Sequence, residues 1–307
     1  MNEPEFLALI RPLATHPAAR GLMDDAAVLA GAPGGDLVFT HDMLVENVHF
    51  LPDDPPGDVA WKLLAVNLSD LAAKGAVPLG VLLGYPLGDE QWDRAFVAGL
   101  TDALAHFDVP LLGGDTVRGP RMLSLTAIGR SAIAPSRSEA QAGDALYVTG
   151  VIGLAGLGLT HLRHPSESWD PVTDGGTRPA GDPSFRWDDI VQAYRRPTPR
   201  LGEGQALAPI VHAMMDISDG LLIDAQRMAT ASNLALDIDL DTIPHAGEIM
   251  AAITAGDDYE LLFAAASGAP LPVPATRIGT FGAGTGLTLH DSNGPVALPK
   301  RLGYTHG

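Results

Sequence analysis

Apolar residues in this chain recur at two periods, the alternating period of a half-buried strand and the 3.6-residue period of a helix. The two take turns on both sides of a polar stretch at 134–143. Such alternation argues against a helical bundle or an all-β sandwich, and it predicts an α/β (α+β) chain of two similar domains, residues 1–136 and 137–307. A total of 307 residues suits two domains of ordinary size.

In the first half DLVFT (36–40) reads as a strand, and Asp58 is placed to cap a helix running through WKLLAVNLSDLAAK until Gly75 and Pro78 stop it. Ala60, Leu64, Leu68 and Leu71 form its core-facing stripe, with Asn67, Asp70 and Lys74 on another face. There follow a strand near 79–85, a helix near 89–107 with Trp92, Phe96, Leu100, Ala103 and Phe107 in register, a buried strand VPLL (109–112) and a strand at 122–128. The second half is expected to hold a strand at 145–149, a glycine turn and short helix, a helix near 200–213, strand AMMDI, a helix from Asp219, and strands LALDIDL, YELLFAA and TRIGTF. Residues 163–189 are poor in aliphatics and rich in Pro, Gly, Ser and Asp, which predicts a flexible insertion.

Charge narrows the function. There are 19 Lys+Arg against 37 Asp+Glu, for a net charge of -18, and only three of the bases are lysines. Nucleic acid, which needs clustered cations, is excluded as a partner, and so is a basic contact with a membrane surface. No apolar run approaches the ~18 residues of a membrane span. The acidic start MNEPEFLALI is unlike a signal peptide, and cysteine is absent, so thiolate metal sites and cysteine nucleophiles drop out. The expected location is the cytoplasm.

The acids stand at informative places. Asp25 in MDDAAVL, Asp42 in FTHDMLVENVHF, Asp70 on its helix, Asp115 in LLGGDT, and Asp216 with Asp219 around Ser218 in MDISDGLL all lie at the edges of apolar elements beside turn-forming residues. Carboxylates converging there need partners, and with few lysines divalent cations are the natural ones. Hard oxygen ligands, no thiolate and no HExxH favour magnesium over zinc, and bridging magnesium lets an acidic protein bind an anionic nucleotide. Each acid also has a plain structural reading. Asp70 and Lys74 suit a surface i,i+4 pair, Gly-Gly-Asp an ordinary turn, and Asp219 a helix cap. Asp237, Asp239 and Asp241 read as the wet face of a strand. There is no GxxxxGK[ST] and no GxSxG, and TGVIGLAGLGL has the wrong spacing for a dinucleotide fingerprint. Arg195, Arg196 and Arg200 in RRPTPR read either as phosphate contacts or as a solvated helix start.

MDDAAVL, FTHDMLVENVHF, LLAVNLSDLAAKGAVP, LLGGDTVRGP, AGDALYVTG, RRPTPRLGEGQAL, MDISDGLLIDA and AGDDYELLF occur in one order. In that order and spacing the chain resembles the thiamine-monophosphate kinase family, from about residue 5 to the tail GYTHG. The wider superfamily includes aminoimidazole ribonucleotide synthetase, selenophosphate synthetase and a hydrogenase maturation protein. The lack of cysteine argues against the last two. The resemblance implies a two-domain fold of the aminoimidazole ribonucleotide synthetase type, an N-terminal domain that pairs across a homodimer, and ATP bound with several magnesium ions. The implied reaction is phosphoryl transfer to thiamine monophosphate. Carried over by motif, Asp25, Thr40, His41, Asp42, Asp70, Asp115, Asp216 and Asp219 correspond to metal positions, with Asp42, Asp115 and Asp216 central to catalysis. Gly114, Asp115, Arg137, Ser218 and His106 correspond to nucleotide contacts, and His49, Asp257 and Tyr304 to substrate contacts. Three positions depart from the pattern. Met23 replaces a glycine, His41 a small hydroxyl residue, and Asp257 a glutamate. A phosphomonoester with a second pKa near ~6 is largely a dianion at neutral pH, so direct in-line transfer without a general base is expected. The alternatives are another ATP-dependent synthetase of the superfamily and a non-catalytic nucleotide or thiamine-phosphate binder.

Overall fold

The computed structural model describes residues 11–31, 33–164 and 187–306, together with Glu5 and Ala8. Its first half is a five-stranded sheet of β1 (Ala27–Leu29), β2 (Asp36–Val45), β3 (Val77–Leu87), β4 (Leu111–Arg118) and β5 (Met122–Ser131), in the order β1-β2-β5-β3-β4. Two long helices, α1 (Pro56–Ala73) and α2 (Glu90–Phe107), pack on each other, and α1 also packs on the sheet. The second half contributes β6 (Asp144–Val148), α3 (Leu154–Arg163), α4 (Trp187–Arg195), α5 (Leu201–Leu207), β7 (Ala213–Asp216), α6 (Leu221–Ala231), β8 (Ala235–Asp239), α7 (Ile249–Ala255), β9 (Leu261–Ala266), β10 (Thr276–Gly282), β11 (Gly286–Asp291) and β12 (Gly294–Val296). These strands form a seven-stranded sheet in the order β12-β11-β8-β10-β6-β9-β7. Among the described residues no helix is long and apolar enough to cross a membrane.

Local chemistry explains the boundaries. Helix α2 begins where the Asp89 carboxylate accepts from the Trp92 N–H at 2.9 Å and ends at Asp108, whose φ of 52° breaks the helical path. Helix α1 starts with proline at its first position, which loses no hydrogen bond there. Pro55 is its cap, so the predicted capping by Asp58 is not what forms. Asp58 sits in the first turn, where an acid suits the helix dipole, and pairs with Arg196. At the start of α6 the Asp224 carboxylate accepts the N–H groups of Ser218, Asp219 and Gly220. Asp219 is therefore not the cap of that helix.

The decisive packing fact is the burial of α1 on all sides. Ala60, Leu64, Leu68 and Leu71 face the first core as the spacing predicts. Asn67, Asp70 and Lys74, expected on a separate face, are buried too, at 0%, 9% and 0% exposure. The reason is tertiary: Asn67 and Asp70 meet Asp42 and Thr40 of the first sheet, and Lys74 meets Asp24, Asp25 and the Met214 carbonyl. Ala72 and Ala73 pack with Ala145, Tyr147, Met214, Leu261 and Phe263 of the second sheet, so α1 is shared by both halves.

Two other expectations change. VPLL reads as a buried strand, but β4 is exposed along its whole length, with Leu111, Leu112 and Val117 about half open, because among the described residues it is an edge strand paired with β3 alone. Of the expected insertion 163–189, residues 165–186 lie outside the described residues, whereas Arg163 ends α3 and Asp188 and Asp189 are helical in α4. The helix expected at 200–213 stops at Leu207. RRPTPR is not simply a solvated helix start, because Arg195 pairs with Asp54, Arg196 with Asp58 and Arg200 with Glu260.

Candidate functional site

Side chains from four elements meet along α1. On β2, alternation sends Thr40 and Asp42 to the face that α1 covers and His41 to the opposite one. The Thr40 hydroxyl donates to Asp70 on α1, and the Asp42 N–H donates to the Asn67 side chain at 3.0 Å. Ser69, one residue before Asp70, donates to Asp216 at the end of β7 at 2.6 Å. Asp25 arrives from the loop before β1 and Asp219 from the loop after β7.

These carboxylates press on one another. Burial pushes the Asp42 carboxyl up to about 6, and the charges of Asp25 and Asp219 add to the shift. Asp216 is pushed up to about 8, by burial first and then by Asp25. Asp70 is raised by burial and by Asp42, Asp216 and Asp25, in that order, against the opposing hydrogen bond from Thr40. Buried like charges at such separations are costly unless a cation joins them. Their chemistry, several hard oxygens with a shared excess of negative charge, fits magnesium. Among the described residues no three such groups already surround one point, so the donors fit by type and neighbourhood, not as a closed cage.

A second cluster lies toward the other end of α1. Lys62 donates to the His49 carbonyl at 3.0 Å and to Asp257 at 2.8 Å, and Tyr259 OH donates to the other Asp257 oxygen at 2.9 Å. The Tyr194 ring lies 4.0 Å from the Lys62 ammonium. His306 packs on His49 at 5.4 Å and on Tyr304 at 4.8 Å between ring centroids. Burial, and then the neighbouring His306, push the His49 imidazole below its ordinary value, favouring the neutral ring. Asp257 and Tyr259 both hold positive φ, 63° and 52°, a backbone shape that costs energy in residues with side chains. Sequence reasoning found His49, Asp257 and Tyr304 here but missed Lys62, Tyr194, Tyr259 and His306. The one available signal was Lys62, a rare lysine two helical turns before Asp70.

The remaining candidates divide. Arg137 reaches the Met23 carbonyl at 2.5 Å and Asp25 at 3.3 Å, so it stands at the acid cluster. The Ser218 carbonyl accepts the Asp257 N–H at 2.8 Å, and the Asp219 carbonyl accepts the Tyr304 N–H at 2.8 Å, which ties the two clusters together. The His41 side chain is not brought to the acids. It is exposed and bonds Thr126 at 2.8 Å on the other sheet face. His106 is not brought there either, because it packs on Trp61 and Phe107 near the end of α2.

Gly114 and Asp115 also stand apart. Asp42 lies opposite Leu125, Leu125 opposite Leu83, and Leu83 opposite Gly114. Three strand spacings of about 4.8 Å put Asp115 roughly 14 Å from Asp42 of the same chain. Gly114 is required by contact, since a Cβ there would lie 1.9 Å from the Leu83 carbonyl oxygen. Replacement of Gly114 by Ala is expected to loosen β4 and to lower unfolding free energy by about 1–3 kcal/mol in denaturant melts. An unchanged midpoint would show that the strand shifts freely.

Residues 23–131 match the family model described as AIR synthase related protein, N-terminal domain, and residues 141–291 match the C-terminal domain of the same description. The chain is 37% identical to the thiamine-monophosphate kinase of Caulobacter vibrioides, over 97% of this chain and 89% of that one. It is also 37% identical to that of Salmonella typhimurium, over 93% and 91%. The structure of AaThiL complexed with AMPPCP and TMP superposes with a TM-score of 0.84 at 26% identity, covering 99% of this chain and 97% of that one. The thiamine-monophosphate kinase structure from Stenotrophomonas maltophilia K279a gives a TM-score of 0.72 at 34% identity, over 95% and 96%.

Proposed function

The chain belongs to the thiamine-monophosphate kinase family, and from that premise we propose that it transfers the γ-phosphoryl group of ATP to thiamine monophosphate, giving thiamine diphosphate and ADP. The observation that carries this reading is the pairing of two unlike clusters along α1, mutually repelling buried acids at one end and His49, Lys62, Asp257 and aromatic rings at the other. The first suits metal-bound phosphates, and the second suits an organic acceptor.

Asp42, Asp70 and Asp216, with Thr40 and Asp219 at the margin, would hold magnesium, which when bound neutralises the charge between two phosphate anions; Asp25 stands beside them with its oxygens on Lys74 and Arg137. The protein's own part is positioning. An acceptor phosphate that is already a dianion needs no base, so none of the aspartates has to take a proton. Arg137 and Ser218 are proposed to bind the nucleotide. His49, Asp257 and Tyr304 are proposed to bind the acceptor, with Asp257 held in place by Lys62 and Tyr259. Alignment of the two phosphates then supplies the catalysis.

Phosphorus NMR of purified protein with ATP, magnesium and thiamine monophosphate should show a new diphosphate. ATP consumption only with an amine or amide acceptor would point instead to the synthetase relatives. Lys62→Met should raise KM for thiamine monophosphate about tenfold or more while leaving KM for ATP nearly unchanged. An equal rise for both substrates would remove the second cluster from acceptor binding.

The working unit is proposed to be a homodimer. In one chain the sheet face opposite α1 and the edge strand β4 expose Met43, Leu82, Leu111, Leu112, Val117 and Met122. This is apolar area of the kind that association covers. Asp115, too far from its own Asp42, would then reach the partner's acid cluster, which reconciles its proposed role with its position. Residues 1–136 carry this surface and most of the acids, and residues 137–307 close the site. The cytoplasm, where ATP is available, is the proposed compartment.

A further inference from the structure

Lys74 is one of only three lysines and is wholly buried at the end of α1. Its ammonium donates to Asp24 at 2.7 Å, to Asp25 at 2.9 Å and to the Met214 carbonyl at 3.2 Å. Those three bonds use all three of its protons, so it has no donor left for a phosphate. The surface pair with Asp70 that helical spacing suggested does not form.

The place of this cation is what matters. Asp25 is the neighbour whose charge presses on Asp42, Asp70 and Asp216 alike. One Asp25 oxygen meets Lys74 and the other faces Arg137. One Asp24 oxygen meets Lys74 and the other meets Arg20. Every oxygen of this acid pair is therefore already satisfied by a protein cation. A lysine ammonium is a compact point charge, the protein group nearest in kind to a bound metal ion.

We propose that Lys74 is a resident cation, standing where a divalent ion would otherwise join Asp25 to the acid cluster, so that this chain binds one divalent ion fewer. The proposal rests on the reading of Asp42, Asp70 and Asp216 as metal ligands. Under a purely structural role for Lys74, its loss would weaken the fold without creating an ion site.

The test is a titration of the full chain with Mn2+, followed by electron paramagnetic resonance in the presence of AMPPCP and thiamine monophosphate. Lys74→Met should bind one more Mn2+ per chain than the parent. It should also melt lower than the parent in EDTA and regain the difference in millimolar Mn2+. An unchanged Mn2+ count in folded Lys74→Met overturns the proposal. If that variant does not fold without metal, the double variant Asp24→Asn/Lys74→Met removes one acid together with its partner. A gained ion there supports the proposal, and no gain overturns it. Asp42→Asn in the same titration separates the underlying reading. Loss of Mn2+ supports the metal assignment, while a parent chain that binds none removes that assignment and the resident-cation proposal together.

Discussion

Replacing Asp216 by Asn is expected to lower phosphoryl transfer by roughly a hundredfold or more and, at the same time, to make the metal-free protein more stable, by a margin that grows with pH. Asn keeps an oxygen to accept the 2.6 Å bond from Ser69, so the local geometry has no reason to change. What disappears is a buried negative charge. Because burial and Asp25 raise this carboxyl from 3.8 to about 8 in the folded chain, the folded state keeps a proton that the unfolded state has already released. Stability contributed by that proton is present at low pH and is lost as pH rises through the window between those two values. The variant has no such loss. Denaturant melts in EDTA at pH 5, 6, 7 and 8 should therefore show the difference widening upward, to on the order of a few kcal/mol. A flat difference would mean that Asp216 is under no electrostatic pressure. Activity within a few-fold of the parent would remove it from the phosphate site.

Asp42→Asn and Asp115→Asn chains should each be inactive alone and should regain activity when co-expressed. In a dimer with one chain of each kind, one site joins an intact Asp42 to an intact Asp115 across the interface. Random pairing makes half of the dimers mixed, so about a quarter of the parental activity should return. The expectation comes from strand geometry. Within one chain the two aspartates sit on β2 and β4 with β5 and β3 between them. If both acted within the same chain, no mixture would recover, because every chain would carry one broken member. Light scattering that found only monomers, together with full loss in the mixture, would end the dimer proposal.

Much of the fold was legible because the relevant physics is local. Phe96, Leu100 and Ala103 were expected on the buried stripe of α2 and are buried there, since a helix with one wet face must show a 3.6-residue apolar period. The alternation LALDIDL placed Leu236 and Ile238 inside and Asp237 outside for the equivalent reason in a strand. Periodicity failed where burial depends on what lies beyond the element. Helix α1 carries Asn67, Asp70 and Lys74 as though on a wet side, yet Asp42 and Thr40 of the first sheet meet Asn67 and Asp70, and Asp24, Asp25 and the Met214 carbonyl meet Lys74. VPLL is apolar enough for a core strand, yet it runs into an edge strand that, among the described residues, has β3 on one side and no strand on the other.

The candidate site was legible to a similar extent. Family motifs assembled Asp25, Asp42, Asp70, Asp216 and Asp219, which the structure brings into one electrostatic neighbourhood. They also named His41 and His106, whose side chains lie away from these acids within one chain. In the first case strand alternation decides, and in the second the position on α2. Lys62 stands just outside the family motif that contains Lys74, and the partners of both lie 195 and about 50 positions away.

The amino-acid sequence by itself determined the order of strands and helices, the division into two α/β halves and the set of acids available for phosphate chemistry. Those follow from local periodicity and from residue type, which need no knowledge of neighbours. Tertiary structure alone decided that α1 is shared between the halves, that Lys74 serves Asp24 and Asp25 and not Asp70, and that Asp115 stands far from its own Asp42. Charge partners and edge positions are settled by distances between segments remote in the chain, and no local pattern records them.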